Sequence, residues 1–263
     1  DWDEFADAVQ QLDTKKITPE GVEKLASVLP TPKCLPSNFH PSTDMLRKFS
    51  AGDLSAGMMV AISAHLELCE VSKRKFEEIE LELAGDWKPA QTGAGSSELS
   101  DLIAGIVSQP QVTELREKKP ILEQIHMLEH SVSLPRVLAK ATSQGLVWKQ
   151  AGGGINRATV DLDEETQCEF IYMKPGSKTP VHKHQGTEAT LVLGGSFSDE
   201  LGEYQRSDFI FRTSSDMHQP RSEEGCLCFS VLDSPLTFTK GLARLLNPIN
   251  KLRFQRAVGN RVS

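Results

Sequence analysis

His182 and His184 stand two residues apart in the run VHKHQGTE, Glu188 follows four residues after the second, and His218 comes later in SSDMHQP. On an extended strand, residues i and i+2 face the same side, so both imidazoles can point into one interior. Gln185-Gly186-Thr187 is a turn that can start a return strand and bring the Glu188 carboxylate to both rings. Three imidazoles and one carboxylate suit Zn, Fe, Mn, Ni or Cu, and the set alone does not choose among them. A second group lies earlier: His40, then His65, then Cys69. His65 and Cys69 are spaced i,i+4, so one helix face can offer two ligands to a zinc ion, with His40 supplied from the start of the preceding helix. Three residues after Cys69, where a second cysteine would complete a four-ligand site, stands Ser72. A hydroxyl is a poor zinc ligand and a thiolate a strong one. Three arrangements are open: zinc on His40, His65 and Cys69 with water or an outside group such as Cys34 as fourth ligand; no zinc, with the helices held by apolar packing; or Ser72 as an engineered substitution.

The elements that must position these groups are of two kinds. Residues 1–84 read as helical, with Pro and Gly at boundaries and apolar residues recurring at three and four. Pro41-Ser42 opens a helix carrying Met45, Leu46 and Phe49, closed by Gly52; Ser55 can cap the next, with Met58, Ile62, His65, Leu66 and Cys69 along one side. The stripe of Met58, Ile62 and Leu66 reads as core or partner surface. Residues 85–144 form a linker with short helices: GDWKPAQTGAGSSE is rich in Gly, Ser and Pro, LSDLIAGIV is a candidate helix, and residues 120–142 look helical with a break at Pro135. His126 and His130, with Glu123 nearby, are then helix-surface residues. From Gly145 to about residue 245, short runs such as CEFIYM, EATLVLGG, DFIFR and CLCFSVLD alternate with turn residues, the texture of an all-β sandwich or barrel. Cys226 and Cys228 fall on one face of such a strand as buried thiols. Residues 246–263 read as a tail, and the basic stretch from Lys240 to Arg261 as a solvated extension.

Bulk properties narrow the function. Of the net charge of -7, all lies in residues 1–86, which hold 16 acidic and 9 basic residues; the remainder balances. That acidity disfavours direct binding to nucleic acid, whose phosphates demand cations, and suits a partner with a basic surface. No apolar run approaches the ~20 residues that span a bilayer. Five sparse cysteines and an acidic start without a signal-peptide pattern point to a reducing cytoplasm.

The histidine stretch resembles the cupin family, whose first motif is Gly, five residues, His-x-His, three or four residues, Glu, six residues and Gly. Gly176, His182, His184, Glu188 and Gly195 occupy every fixed position. In the second motif cupins usually carry Gly before the position of Asp208; here Ser207 stands there, while His218 is present, followed by Gln219 and Pro220. The helical part resembles the zinc-binding anti-sigma domain, whose pattern is His, then His-x-x-x-Cys-x-x-Cys, with Ser72 as the departure. Together the two halves resemble a ChrR-type anti-sigma factor over about residues 38–84 and 145–245, in strings that include HPSTDMLRKFSAGDLS, HLELC, AGGG, TLVLGGSFSDE and GCLCFSVLDSPLTF.

The resemblance implies a multidomain α plus all-β chain: a helical bundle over residues 1–84 and a C-terminal cupin, a double-stranded β-helix or jelly-roll barrel, over residues 145–245. It implies that the helical domain clasps a group IV (extracytoplasmic-function, ECF-type) sigma factor and keeps it from core RNA polymerase. A metal-bound cupin would then sense or regulate, with zinc the first candidate. The rival is a metal-dependent cupin dioxygenase, in which Glu188 ligates the metal or acts as base. An oxygenase has no need of the His40, His65 and Cys69 module.

Overall fold

The computed structural model describes residues 39–85, 96–109, 124–127, 130–143 and 145–259; the expectations for residues 1–38, Cys34 included, lie outside them. Among the described residues no helix is long and apolar enough to cross a membrane. Residues Ser37–Ser263 form one compact unit.

Three helices open it. α1 (Thr43–Ala51) starts where the Ser42 hydroxyl accepts from the Met45 amide at 3.2 Å and stops at Gly52, whose φ of 75° places it in the left-handed region. α2 (Ala56–Leu68) begins at Ser55, which accepts from the Met58 amide at 3.3 Å. It ends at Cys69, whose extended backbone turns the chain into α3 (Glu70–Gly85). α4 (Ser96–Val107) falls on the candidate helix LSDLIAGIV.

Residues 124–127 and 130–133 differ from the helical expectation for 120–142. β1 (Gln124–Met127) and β2 (His130–Ser133) pair antiparallel, with Ile125 opposite Val132 and His126 opposite Ser131; among the described residues of this stretch, α5 (Arg136–Ala141) is the helical part. The physical reason is the period. Ile125, Val132 and Leu134 are buried, alternating with exposed residues, and the i,i+4 spacing of His126 and His130 is an accident of the connection between strands. His126 Nδ1 lies 2.7 Å from the Ser131 hydroxyl, on the exposed side.

The rest is an antiparallel sheet that curls on itself. Its main path is β3 (Lys149–Gly152), β4 (Ile155–Val160), β5 (Gln167–Met173), β13 (Cys226–Leu232), β8 (Glu188–Asp199), β12 (Arg221–Ser222) and β6 (Ser177–Lys178), with β9 (Gly202–Gln205) and β10 (Phe209–Arg212) also on β8. β11 (Met217–His218), β7 (His182–Lys183) and β14 (Thr237–Phe238) form a short second sheet. β13 lies between β5 and β8, and all seven of its residues are buried, as a strand covered on both faces requires. Ser207, where cupins usually carry Gly, has φ 78°, so the turn before β10 does use the left-handed conformation that glycine favours.

The helices pack onto this sheet. Leu46, Ile62 and Ile79 share one core with Phe170, Leu191, Phe209, Phe229 and Val231. Each large apolar side chain so buried stabilises the joint by roughly 1.5–3 kcal/mol. The presumed tail also differs. After a 3₁₀ turn (Leu242–Leu246) it forms α6 (Asn247–Val258), with Pro248 in its first turn. Asn247 anchors it, accepting from the Phe238 amide at 2.7 Å and donating to the Phe238 carbonyl at 3.1 Å. The basic residues masked an apolar series at helical spacing, Leu245, Leu246, Ile249 and Leu252.

Candidate metal centres

The structure brings His182, His184, Glu188 and His218 together, with their potential ligand atoms all within 4.8 Å of one another and all four residues buried. Strand register does this. His182 on β7 lies opposite His218 on β11, and Glu188 opens β8 beside Leu232 of β13. His184 Nε2 lies 2.9 Å from His218 Nε2 and 3.3 Å from Glu188 Oε2.

Outer partners aim these groups. His182 Nδ1 donates to the Pro180 carbonyl at 3.0 Å, and His218 Nδ1 to the Asp199 carboxylate at 2.8 Å, which turns both Nε2 lone pairs inward. The Ser230 hydroxyl donates to Glu188 Oε1 at 2.6 Å, leaving the other oxygen for the centre. Burial lowers the His182 pKa to about 4, with His218 adding to the effect, and burial lowers that of His184, so these two imidazoles stay neutral. Burial would raise Glu188, but His184, the Ser230 hydroxyl and His182 outweigh it and hold the carboxyl below its usual range. The inward lone pairs of His182 and His218, the His184 ring and the Glu188 carboxylate converge on one buried point as a set of donors that a cation between them would satisfy. The residues therefore fit a divalent metal ion.

Several contributors around this cluster carry no signal in the sequence. Asp199 accepts from the Tyr204 hydroxyl at 2.9 Å and pairs with Arg212 at 3.3 Å as well as holding His218. These bonds outweigh burial and keep its pKa well below the carboxylate range. Asp199 ends β8 in an ordinary surface-looking string, SFSDE, and only the pairing of β8 with β9 and β10 shows what it faces. Above the cluster opens a cavity of about 500 Å³, lined in part by His182, Glu188 and His218. Cys226 and Cys228 are buried, their sulfurs 3.2 Å apart. The hydrogen bond from Cys226, then burial, raises the Cys228 pKa well above the thiol norm, which keeps it protonated.

The second group also converges. His40, His65 and Cys69 place potential ligand atoms within 4.8 Å of one another; His65 and Cys69 are buried and His40 is exposed. Ser72 sits among them, its hydroxyl 2.8 Å from His65 Nε2 and 3.0 Å from His40 Nδ1. Cys69 Sγ lies 3.5 Å from His40 Nδ1. A tetrahedron with Zn–S ~2.3 Å and Zn–N ~2.0–2.1 Å has an S–N edge of roughly 3.5 Å, so this pair already has zinc spacing. A hydroxyl donates once and accepts, so Ser72 can satisfy both rings by hydrogen bonds without an ion.

This group rests on the curled sheet. His65 stacks edge-on against Phe209, with centroids 5.6 Å apart, and the Phe209 amide donates to the Phe39 carbonyl at 2.9 Å. The Phe39 ring packs on Tyr204 at 4.8 Å, and Tyr204 holds Asp199. A continuous chain of contacts thus runs from the residue before His40 to the residue that orients His218.

Burial, then the nearby His40, lowers the His65 pKa to about 4. The unfolded chain takes up that proton near 6.5, so this group costs stability as pH falls from about 6.5 towards 4. The expected loss between pH 7 and 5 is on the order of 2 kcal/mol. Urea unfolding at both pH values should show it, and His65→Gln should remove this share of the slope. An unchanged slope in the variant would assign the pH dependence elsewhere.

Comparison with known proteins points to the same architecture. Residues 139–234 match the model of the ChrR Cupin-like domain. A curated relative, anti-sigma-E factor ChrR of Cereibacter sphaeroides, is 27% identical over 222 residues, covering 81% of this chain and 98% of that protein. The crystal structure of Rhodobacter sphaeroides SigE in complex with the anti-sigma ChrR matches with a TM-score of 0.57 at 22% identity, covering 74% of this chain and 99% of that one, and shows a shared fold. The chain is thus similar to the ChrR cupin-like domain over residues 139–234 and to an anti-sigma factor over 81% of its length.

Proposed function

We propose that this protein is an anti-sigma factor, in which the helical segment sequesters an ECF-type sigma factor in the cytoplasm and the cupin is a metal-bound sensor or regulatory domain. The similarity to an anti-sigma factor along nearly that protein's whole length supports this reading. The observation that carries it is α4, which lies past the helical domain of residues 1–84 and would extend its sigma-binding surface. Leu99, Leu102, Ile103 and Ile106 recur at three and four on this helix and are 52–63% exposed. An apolar helical stripe left open in this way is a docking element for another protein. An oxygenase would need neither this stripe nor the helical cluster.

We assign His182, His184, Glu188 and His218 as ligands of one divalent ion, zinc by preference, which would act there as a structural and sensing centre. The chain's own residues supply the rest. Asp199 and Pro180 fix the ring orientations, and Ser230 fixes the carboxylate. His40, His65 and Cys69 are assigned as an incomplete zinc site that the Ser72 hydroxyl closes by hydrogen bonding.

The test is co-expression with an ECF-type sigma factor of the same cell. The full chain should co-purify with it and silence its promoter. The double variant Leu102→Asp/Ile106→Asp should lose both, with affinity down by about a hundredfold, the scale of two truncated interface anchors. Both changes lie on an exposed face, so circular dichroism and the unfolding midpoint should stay as in the parent. Undiminished inhibition by the double variant would remove α4 from the interface, and absence of any complex would sink the function.

A further inference from the structure

The cavity above the histidine cluster has features that metal binding does not use. Its volume of about 500 Å³ lies within the roughly 300–1,000 Å³ of pockets that take small organic ligands. Its walls include Ile155, Ile171 and Met173, and its roof is the C-terminal segment, which contributes Leu246, Ile249 and Arg253. Leu246 and Ile249 line the cavity yet remain 42% and 51% exposed, so the apolar roof has nothing packed against all of it. The family match ends at residue 234, before this roof begins.

Charge is unbalanced at the roof. Arg212 is matched by Asp199 at 3.3 Å. Arg157 pairs with Glu169 at 2.9 Å. Arg253 lines both the cavity and a small recess it shares with Arg157 and Glu169, and Glu169 is the sole carboxylate lining that recess. Two guanidinium groups thus share one carboxylate, leaving a net positive charge beside an apolar space. Arg157 Nε and Glu169 Oε2 are both buried without a hydrogen-bond partner, so the charges of that pair answer each other, whereas Arg253 faces the cavity. A guanidinium at the edge of an apolar space is matched in shape and charge by a carboxylate.

We propose that this cavity binds a small amphipathic monocarboxylate. Its apolar body lies against Ile155, Ile171, Leu246 and Ile249, and its carboxylate lies against Arg253. The site belongs to the chain by itself and is independent of any sigma factor, so its failure and that of the anti-sigma reading are read separately.

Decanoate and 1-decanol, which share a chain and differ in the head group, are suitable probes. Isothermal titration of the full, metal-loaded chain should show decanoate bound at least tenfold more tightly than decanol. Arg253→Gln lies on a partly exposed helix face and should abolish most of that preference while leaving decanol affinity unchanged. Ile249→Trp should fill the space and weaken both. The proposal is overturned if neither probe binds or if both bind equally. It is also overturned if Arg253→Gln keeps the preference while His182→Ala, whose metal content is measured in parallel, loses it; the carboxylate would then sit on the metal instead.

Discussion

Ser72→Cys is expected to raise the zinc content of the purified chain from about one equivalent to about two, since closed structural sites have four protein ligands and the helical group would then have them. The position is already right. The Ser72 side chain touches both imidazoles, and its amide lies 3.5 Å from Cys69 Sγ. A closed zinc site is worth ~10–16 kcal/mol near neutral pH, so one of four ligands carries roughly 3 kcal/mol, more than a hundredfold in affinity. Competition with a chromophoric chelator would measure it. The added stability should disappear with chelator and fade as pH falls, because thiolate and imidazole must both be deprotonated to bind. If Ser72→Cys holds no more zinc and no more tightly than the parent, the helical group is a hydrogen-bonded packing cluster and not a reduced metal site.

What the sequence showed of this site, and what it hid, divides by range. His182, His184 and Glu188 are close in sequence, and their spacing together with the period of a strand brings them together; His218 was marked by its place in a family motif. The helical triplet was legible for the same reason, since i,i+4 spacing and a capped helix start leave little freedom. Asp199, Tyr204 and Arg212 were not legible, because their roles depend on which strands pair with β8. The hairpin of β1 and β2 was misread because strands of four residues carry too few periods to outweigh a histidine pair at helical spacing. The C-terminal helix was hidden by its charge: a basic surface helix and a basic tail have similar composition, and only the apolar positions at three and four separate them.

The packing of helices on the cupin yields the last expectation, and it reverses sign between two glycines. By helix propensity alone, Gly→Ala within a helix stabilises by up to about 1 kcal/mol. Gly105, in α4, has nothing within 4 Å of where a Cβ would stand, so Gly105→Ala should stabilise by that amount. Gly57, in the first turn of α2, is different. A Cβ there would lie 2.5 Å from both Cys168 Sγ and Thr166 Oγ1, and 3.0 Å from Val231 Cγ1. Cys168 and Val231 are buried in the sheet and cannot retreat. The Gly57 amide also donates to Asp163 Oδ2 at 2.7 Å, and Thr166 and Glu165 orient that same carboxylate at the positive end of the helix. Pushing the helix away loses this charge-assisted bond, worth ~1.5–3 kcal/mol, on top of ~1–3 kcal/mol for overpacking. Gly57→Ala should therefore destabilise by about 3 kcal/mol or more, and separate unfolding of the helices from that of the cupin. Urea titrations followed by far-UV dichroism and by tryptophan fluorescence should coincide in the parent and diverge in this variant. Equal midpoints for the two alanine variants would mean that α2 does not dock on the sheet through Gly57.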